Sequence, residues 1–232
     1  MTGPGTFFGL EIARRGMQAG RSAIDVTGHN LANVDTPGYS RQEPVLTTTD
    51  PYALMVFNQK GTPEHMGTGV MAEKIRRVRD EFLDDTLRNI FSTTAQWEST
   101  DAVLRRVEVL FPEPGENGMQ GIIGEFFNNW HELNSSPQAR GVRSAVRESA
   151  GNLTHAFRQT YQQVENEKNI TLERIEEKVN RVNTIATEVA YLNDTIVSAI
   201  SLGKQPNDLM DKRDVLLDEL ATIADIRVEK DA

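Results

Sequence analysis

The chain contains no cysteine, so it can have neither a disulfide framework nor a thiolate metal site, although that absence fits either side of a membrane. It also lacks basic excess: 25 Lys and Arg stand against 34 Asp and Glu, for a formal net charge of -9. A surface of that sign repels phosphate, which argues against nucleic acid or an anionic membrane as the main partner. The short basic groups Arg76-Arg77 with Arg79, and Arg105-Arg106, are interleaved with acids and do not change this. No apolar run reaches the length of a membrane span, so no membrane insertion is expected. The N-terminus has no charged start, apolar middle and small-residue cleavage site. Either the protein is cytoplasmic or it leaves by a route that cuts nothing off.

Catalytic chemistry is equally sparse. His29, His65, His131 and His155 are scattered singly, without metal-site spacing, and read as solvated or helix-surface residues. Asp84-Asp85 and Glu176-Glu177 are sequence neighbours and point to different parts of a helix surface, which suits solubilising charge rather than an acid/base pair. Gly67-Thr68-Gly69 lacks the lysine of a phosphate loop, and no nucleophile comes with a recognisable base. The expectation is no enzyme, no cofactor and no metal. What is present is ordinary for one or two domains with cores: 232 residues, 38% apolar and 25% charged.

The stretch from Asn30 to Gln42 is where a helical pattern stops and an extended one begins. Asn33 and Asp35 are weak helix formers, and Pro37 pushes Thr36 out of the helical region. Pro37-Gly38 fits the centre of a type II turn, proline presetting the first φ and glycine accepting the positive second one. With Tyr39 beside it, the corner suits either a loop closing a core or a surface packing on another molecule.

Before that corner, a helix is expected from about Phe7 to Asn33, with Leu10, Met17, Ile24 and Leu31 seven residues apart. Small residues, Ala13, Gly20 and Thr27, follow three positions after the first three of these. The seam is therefore narrow and open to a close partner. Gly16, Gly20 and Gly28 each weaken the helix by about 1 kcal/mol relative to alanine, so its order must come mainly from packing on something else.

Beyond the corner, Glu43 to Thr49 is β-prone, with prolines at 44, 51 and 63 excluding a continuous helix, and Pro44 confines any strand to an edge or bulge. Tyr52 to Phe57 is a short apolar run, and Gly67 to Val70 reads as a turn into a second strand. This gives a long, irregular, hairpin-like connector over residues 41–79.

Helices are then expected from about Asp80 to Leu110, with Leu83, Leu87, Ile90, Trp97, Leu104, Val107 and Phe111 on one face, and from Met119 to Leu133, where Ile122, Ile123, Phe126, Phe127 and Trp130 hold most of the core bulk. Ser135-Ser136-Pro137 reads as the cap of a very long helix that nothing breaks before Gly203. Its second half carries coiled-coil spacing at Leu172, Ile175, Val179, Val182, Ala186, Val189, Asn193, Ile196 and Ile200, with Asn193 able to fix register. Asn207 can cap a last helix ending near Ala224, and Ile226 to Lys230 resembles the start of a strand, so the chain reads as truncated. The fold class is mainly α: an elongated bundle of long coiled-coil-like helices plus a small β-hairpin-like connector.

Asn30-Leu31-Ala32-Asn33 followed by Thr36-Pro37-Gly38-Tyr39 resembles the N-terminal motif shared by the rod, hook and hook-associated proteins of the bacterial flagellum. Tyr39-Ser40-Arg41-Gln42 continues it in the manner of the hook-associated protein 1 (FlgK) family. The segment Asn207 to Leu220, with Asp208, Leu209, Asp211, Arg213, Asp214, Leu217 and Leu220, looks like that family's second signature. Gly28-His29 departs from the small polar residues usual there.

The resemblance implies residues 1–40 as an inner-layer assembly helix and turn, 41–79 as a connector, and 80–232 as a long-helix rod domain ending before an outer β domain. It also implies export through the flagellar type III apparatus with its chaperone, a disordered uncleaved N-terminus, and an extracellular place at the hook-filament junction. The implied partners are copies of the chain, hook protein and hook-associated protein 3. Alternatives are a helical adaptor or receptor-binding module using its coiled-coil face, or a hook or rod subunit.

Overall fold

The computed structural model describes residues 7–53, 65–113 and 118–229. Their order is α1 (Phe8–Ala32), β1 (Gln42–Thr48), β2 (Tyr52–Ala53), β3 (His65–Met66), β4 (Val70–Arg77), α2 (Glu81–Leu110), α3 (Met119–Ser135), α4 (Arg140–Ser201) and α5 (Asn207–Ala221). The chain is mainly α with a small hairpin, as its periodicity predicts. The apolar run from Leu54 to Phe57, with Pro63 and Pro114, lies outside the described residues.

The described residues divide into two compact units. One gathers the described residues up to 88 with 185–220 and 227–229, so α1, the hairpin, the first turns of α2, the last turns of α4 and nearly all of α5 belong together. In it β1 and β4 run antiparallel, Gln42 opposite Arg77 and Thr48 opposite Val70, with a register shift between Val45 and Leu46. Pro44 is tolerated because a two-stranded sheet consists only of edges, where a missing N–H need not break a ladder. Beside this pair, the shorter β2 and β3 also run antiparallel.

Helix α1 packs on both β1 and β4. Toward the corner its covered face carries small or short residues, Ala19 and Val26 being buried and Ser22, Ala23 and Asn30 half-buried, while nearer its start Ile12 and Arg15 are half-buried and Arg15 donates to the Thr68 carbonyl at 3.2 Å. The hairpin is thus the partner that the glycine-weakened helix needs within its own chain. The large residues at the seven-residue spacing are not on that face.

Several element ends have a visible cause. Asp80 accepts the backbone N–H groups of Phe82 (3.0 Å) and Leu83 (3.3 Å), capping α2. At the end of α4, Gly203 takes φ +72°, its N–H bonds to Ile200, and the Lys204 N–H reaches back to Ala199, a Schellman arrangement. The expected cap at Ser135-Ser136-Pro137 is corrected: α3 runs through Ser135, the Ala139 N–H closes a turn on the Ser136 carbonyl, and α4 begins at Arg140. The expected strand from Ile226 does not form over residues 226–229, which have no strand partner among the described residues.

The second unit comprises residues 89–184 with 221–226. Glu113 caps α3 by accepting the Gln120 N–H at 2.8 Å, and Arg106 of α2 donates to Glu167 of α4. The expectation that α3 supplies the core bulk is not met: it has no buried residue. Phe126 packs edge-on to Phe127 (5.4 Å between ring centroids), and Phe127 and Trp130 are exposed. Of the expected α2 face, Leu83, Ile90, Trp97 and Leu104 are exposed while Val107 is half-buried.

Candidate assembly site around the elbow

The corner after α1 is a type II turn. The Tyr39 N–H bonds to the Thr36 carbonyl at 3.1 Å, and Gly38 takes φ +77°. Glycine is required twice over, because a Cβ at position 38 would also lie 2.0 Å from Cγ2 of Val215 in α5.

Asn30 and Asn33 have distinct roles. Asn33 Nδ2 donates to the His29 carbonyl at 3.0 Å and its Oδ1 accepts from Thr36 Oγ1 at 3.3 Å, closing the helix end. Asn30 reaches across the corner: its Nδ2 donates to the Gln42 carbonyl and its Oδ1 accepts the Gln42 N–H, both at 2.8 Å. The Tyr39 hydroxyl donates to the same Asn30 Oδ1 at 2.8 Å and lies 3.0 Å from His29 Nδ1. His29, an exposed helix-surface residue as expected, also sets its ring edge-on to Tyr39, 5.5 Å between centroids. Burial, then the negative charges of Asp208 and Asp211, push the Tyr39 phenol above its ordinary range.

The second signature meets the first directly. Gln42, itself buried, donates from Nε2 to Asp208 Oδ1 at 3.0 Å and accepts from Asn207 Nδ2 at 3.0 Å. Asn207 also lies 2.9 Å from the Ile75 carbonyl. This corrects the expectation that Asn207 caps α5: Asn207 is already the first residue of the helix, its Nδ2 is spent on the hairpin, and the Pro206 carbonyl receives the N–H groups of Leu209 and Met210. Asp211 accepts the Ser40 N–H at 3.0 Å and Arg77 at 2.9 Å.

One turn on, Asp214 is the common carboxylate of three arginines: Arg77 at 2.6 Å, Arg79 at 3.6 Å and Arg88 at 3.8 Å. Arg88, only 6% exposed, is held by Asp218 at 2.8 Å, while Arg79 bonds Asp84 at 2.5 Å. Burial disfavours the Arg79 cation, but Asp84, with Asp214 and Asp218, more than offsets this and raises its pKa. Asp84 thus belongs to this ion-pair network, which corrects its reading as solubilising charge.

Elsewhere the signature residues are less engaged. Leu209, Leu217 and Leu220 are half-buried, and Arg213 donates to Asn193 Oδ1 at 3.2 Å. On α4, Leu172, Ile175 and Val179 are more than half exposed, Val182 and Val189 are half-buried, Asn193 is exposed and Ile196 is buried. The covered stripe near the end of α4 runs Ile185, Val189, Leu192, Ile196 and Ala199, sharing only Val189 and Ile196 with the expected seam. Asn193 lies just off this stripe, which leaves its amide free to meet Arg213.

On α1, Leu10, Met17, Ile24 and Leu31 are between 65% and 74% exposed. A cleft of about 960 Å³ opens beneath the turn, lined among others by Pro37, Tyr39, Tyr191, Leu192, Val215 and Leu216. Among the described residues no group of His, Asp and Glu could hold a metal, and no helix is long and apolar enough to cross a membrane.

Sequence reading misses Ser40, Arg77, Arg79, Arg88, Asn207 and Asp218 as one network. The legible trace is the spacing Asp208, Asp211, Asp214, Asp218, which lays four acids on one helical face and calls for cations opposite.

The hydrogen bonds and ion pairs of this site fix one chain segment against another within a mainly helical fold. The chain belongs to the family of the flagellar hook-associated protein FlgK helical domain, whose model matches residues 104–232. Residues 10–39 match the model of the flagella basal body rod protein. The chain is 30% identical over 223 residues to flagellar hook-associated protein 1 of Bacillus subtilis, covering 96% of this chain and 44% of that protein. Against the Salmonella typhimurium protein of the same name the identity is 25% over 221 residues, covering 94% and 38%. For Escherichia coli it is 22% over 221 residues, covering 94% and 39%. The chain thus spans less than half the length of these relatives.

Proposed function

We propose that this chain is a non-enzymatic structural component of the bacterial flagellum that joins hook to filament, with residues 1–40 as its assembly helix and turn. The observation that carries the reading is the division of α1 into two faces. Its small-residue face is covered by the hairpin, while Leu10, Met17, Ile24 and Leu31 stand exposed at coiled-coil spacing. Large apolar residues aligned on one exposed face mark an interaction surface, since each contributes roughly 1.5–3 kcal/mol when fully buried. Copies of the chain, hook protein and hook-associated protein 3 are the partners this reading assigns, reached by export through the flagellar apparatus without a cleaved signal. The family match and the relatives' names support it.

The test is to tag the protein in its own bacterium and locate it on isolated flagella by labelling electron microscopy. Label confined to the boundary between hook and filament is expected. Label along the hook or rod would make it another axial subunit, and absence from flagella would favour a soluble adaptor.

A further inference from the structure

Helix α1, 25 residues long, packs directly on β1 and β4, but the turn at Pro37-Gly38 that joins it to them does not by itself fix residues 39–42. The groups that brace the corner from outside come from α5. Asp208, Asp211, Asp214 and Asp218 recur at three- and four-residue spacing, so they share one face. Each is engaged from outside the helix: Asp208 by Gln42, Asp211 by the Ser40 N–H and Arg77, Asp214 by Arg77, and Asp218 by Arg88. Val215, on the same turn of α5, closes on Gly38.

The face that docks α5 here is thus acidic. Like charges at this spacing weaken an isolated helix, and fifteen residues are few for independent stability in water. Docking and folding of α5 are therefore coupled to the arginines and amides it meets. Those amides are in turn coupled to α1, because Gln42, which binds Asn207 and Asp208 through its side chain, is bound through its backbone by Asn30.

We infer that α5 is a polar clasp for the elbow: the acidic face of residues 208–218, rather than the Pro37-Gly38 turn alone, holds residues 39–42, and together with the packing of α1 on β1 and β4 it sets the exit direction of α1. A consequence is order. A chain emerging N-terminus first has α1 and its turn long before it has the clasp, so the elbow locks only when residues through 218 have folded. This consequence rests on reading α1 as the assembly helix, whereas the clasp itself does not.

Native-state amide exchange on the whole chain tests it, comparing wild type with Asp211→Asn and with Gln42→Met, which keeps bulk but removes the links to Asn207 and Asp208. Exchange at amides 39–42 and 207–218 is expected to accelerate together, by about tenfold or more, with amides 145–175 unchanged. Asp101→Asn, which breaks the exposed pair with Arg105, should leave the elbow as it is. Loosening of 207–218 while 39–42 keeps wild-type protection would overturn the clasp, as would no change in either segment. If Asp211→Asn unfolds the chain throughout, Gln42→Met decides by the same comparison. Exchange is indifferent to whether the chain enters flagella, so failure of the clasp and failure of the junction assignment are told apart by this measurement and the labelling experiment above.

Discussion

Asn30 binds Gln42 as a neighbouring strand would: its amide donates to the Gln42 carbonyl and accepts the Gln42 N–H, each at 2.8 Å. A helix side chain thereby satisfies both backbone groups at the start of β1 and occupies a sheet edge that is otherwise open to pairing. Through it the last turn of α1, the first residue of the hairpin and the start of α5 become one hydrogen-bonded body.

Within that body Asp214 faces three arginines and is 7% exposed. Asp214→Asn keeps the shape but leaves buried cations short of charge, and is expected to destabilise by about 3–5 kcal/mol in denaturant unfolding. Replacing Arg88 and Asp214 together by apolar residues should cost less than the two single changes combined, which a double-mutant cycle would show as strong coupling.

At Gly38, alanine meets both a positive φ and Val215. A loss of about 1–3 kcal/mol is expected for Gly38→Ala. Val215→Ala introduced with it removes the overlap but not the backbone strain, so thermal unfolding should recover only partly. Full recovery would assign the whole requirement to packing.

Tyr39 gives the structure a response to alkali. Its folded pKa is raised, so above the unfolded phenol's pKa of about 10 the folded state binds more protons than the unfolded one, and stability falls as pH rises. Below that pH the contribution is fully present. Tyr39→Phe should cost about 0.5–1.5 kcal/mol at neutral pH for the lost hydrogen bonds and should flatten the alkaline decline attributable to this group, measured by urea midpoints between pH 8 and pH 11.

Ile24, at 73% exposure, separates folding from assembly. Ile24→Asp is expected to change unfolding free energy by no more than about 0.5 kcal/mol, as for other open surface positions, while greatly reducing incorporation into flagella. Normal incorporation would remove the exposed seam from the interface.

Local chemistry was enough to outline most of the helices and the corner after α1, though not the start of α4 or the segment after α5. Seven-residue spacing outlined α1, Pro37-Gly38 announced the type II turn, and Gly203 ended a helix of 62 residues, because backbone preference and periodicity are properties of neighbouring residues. What covers each face was decided only by tertiary structure. The hairpin took the small face of α1 and left Leu10 to Leu31 open. The arginines at 77, 79 and 88, ordinary surface charges by local reading, gathered on Asp211, Asp214 and Asp218. Asn207, a fitting helix cap by position, was drawn instead to Gln42 and Ile75. The reason is common to all three. A hydrogen bond between residues some 165 positions apart has no local periodicity to announce it, and burial makes such partners obligatory only after the fold has brought them together.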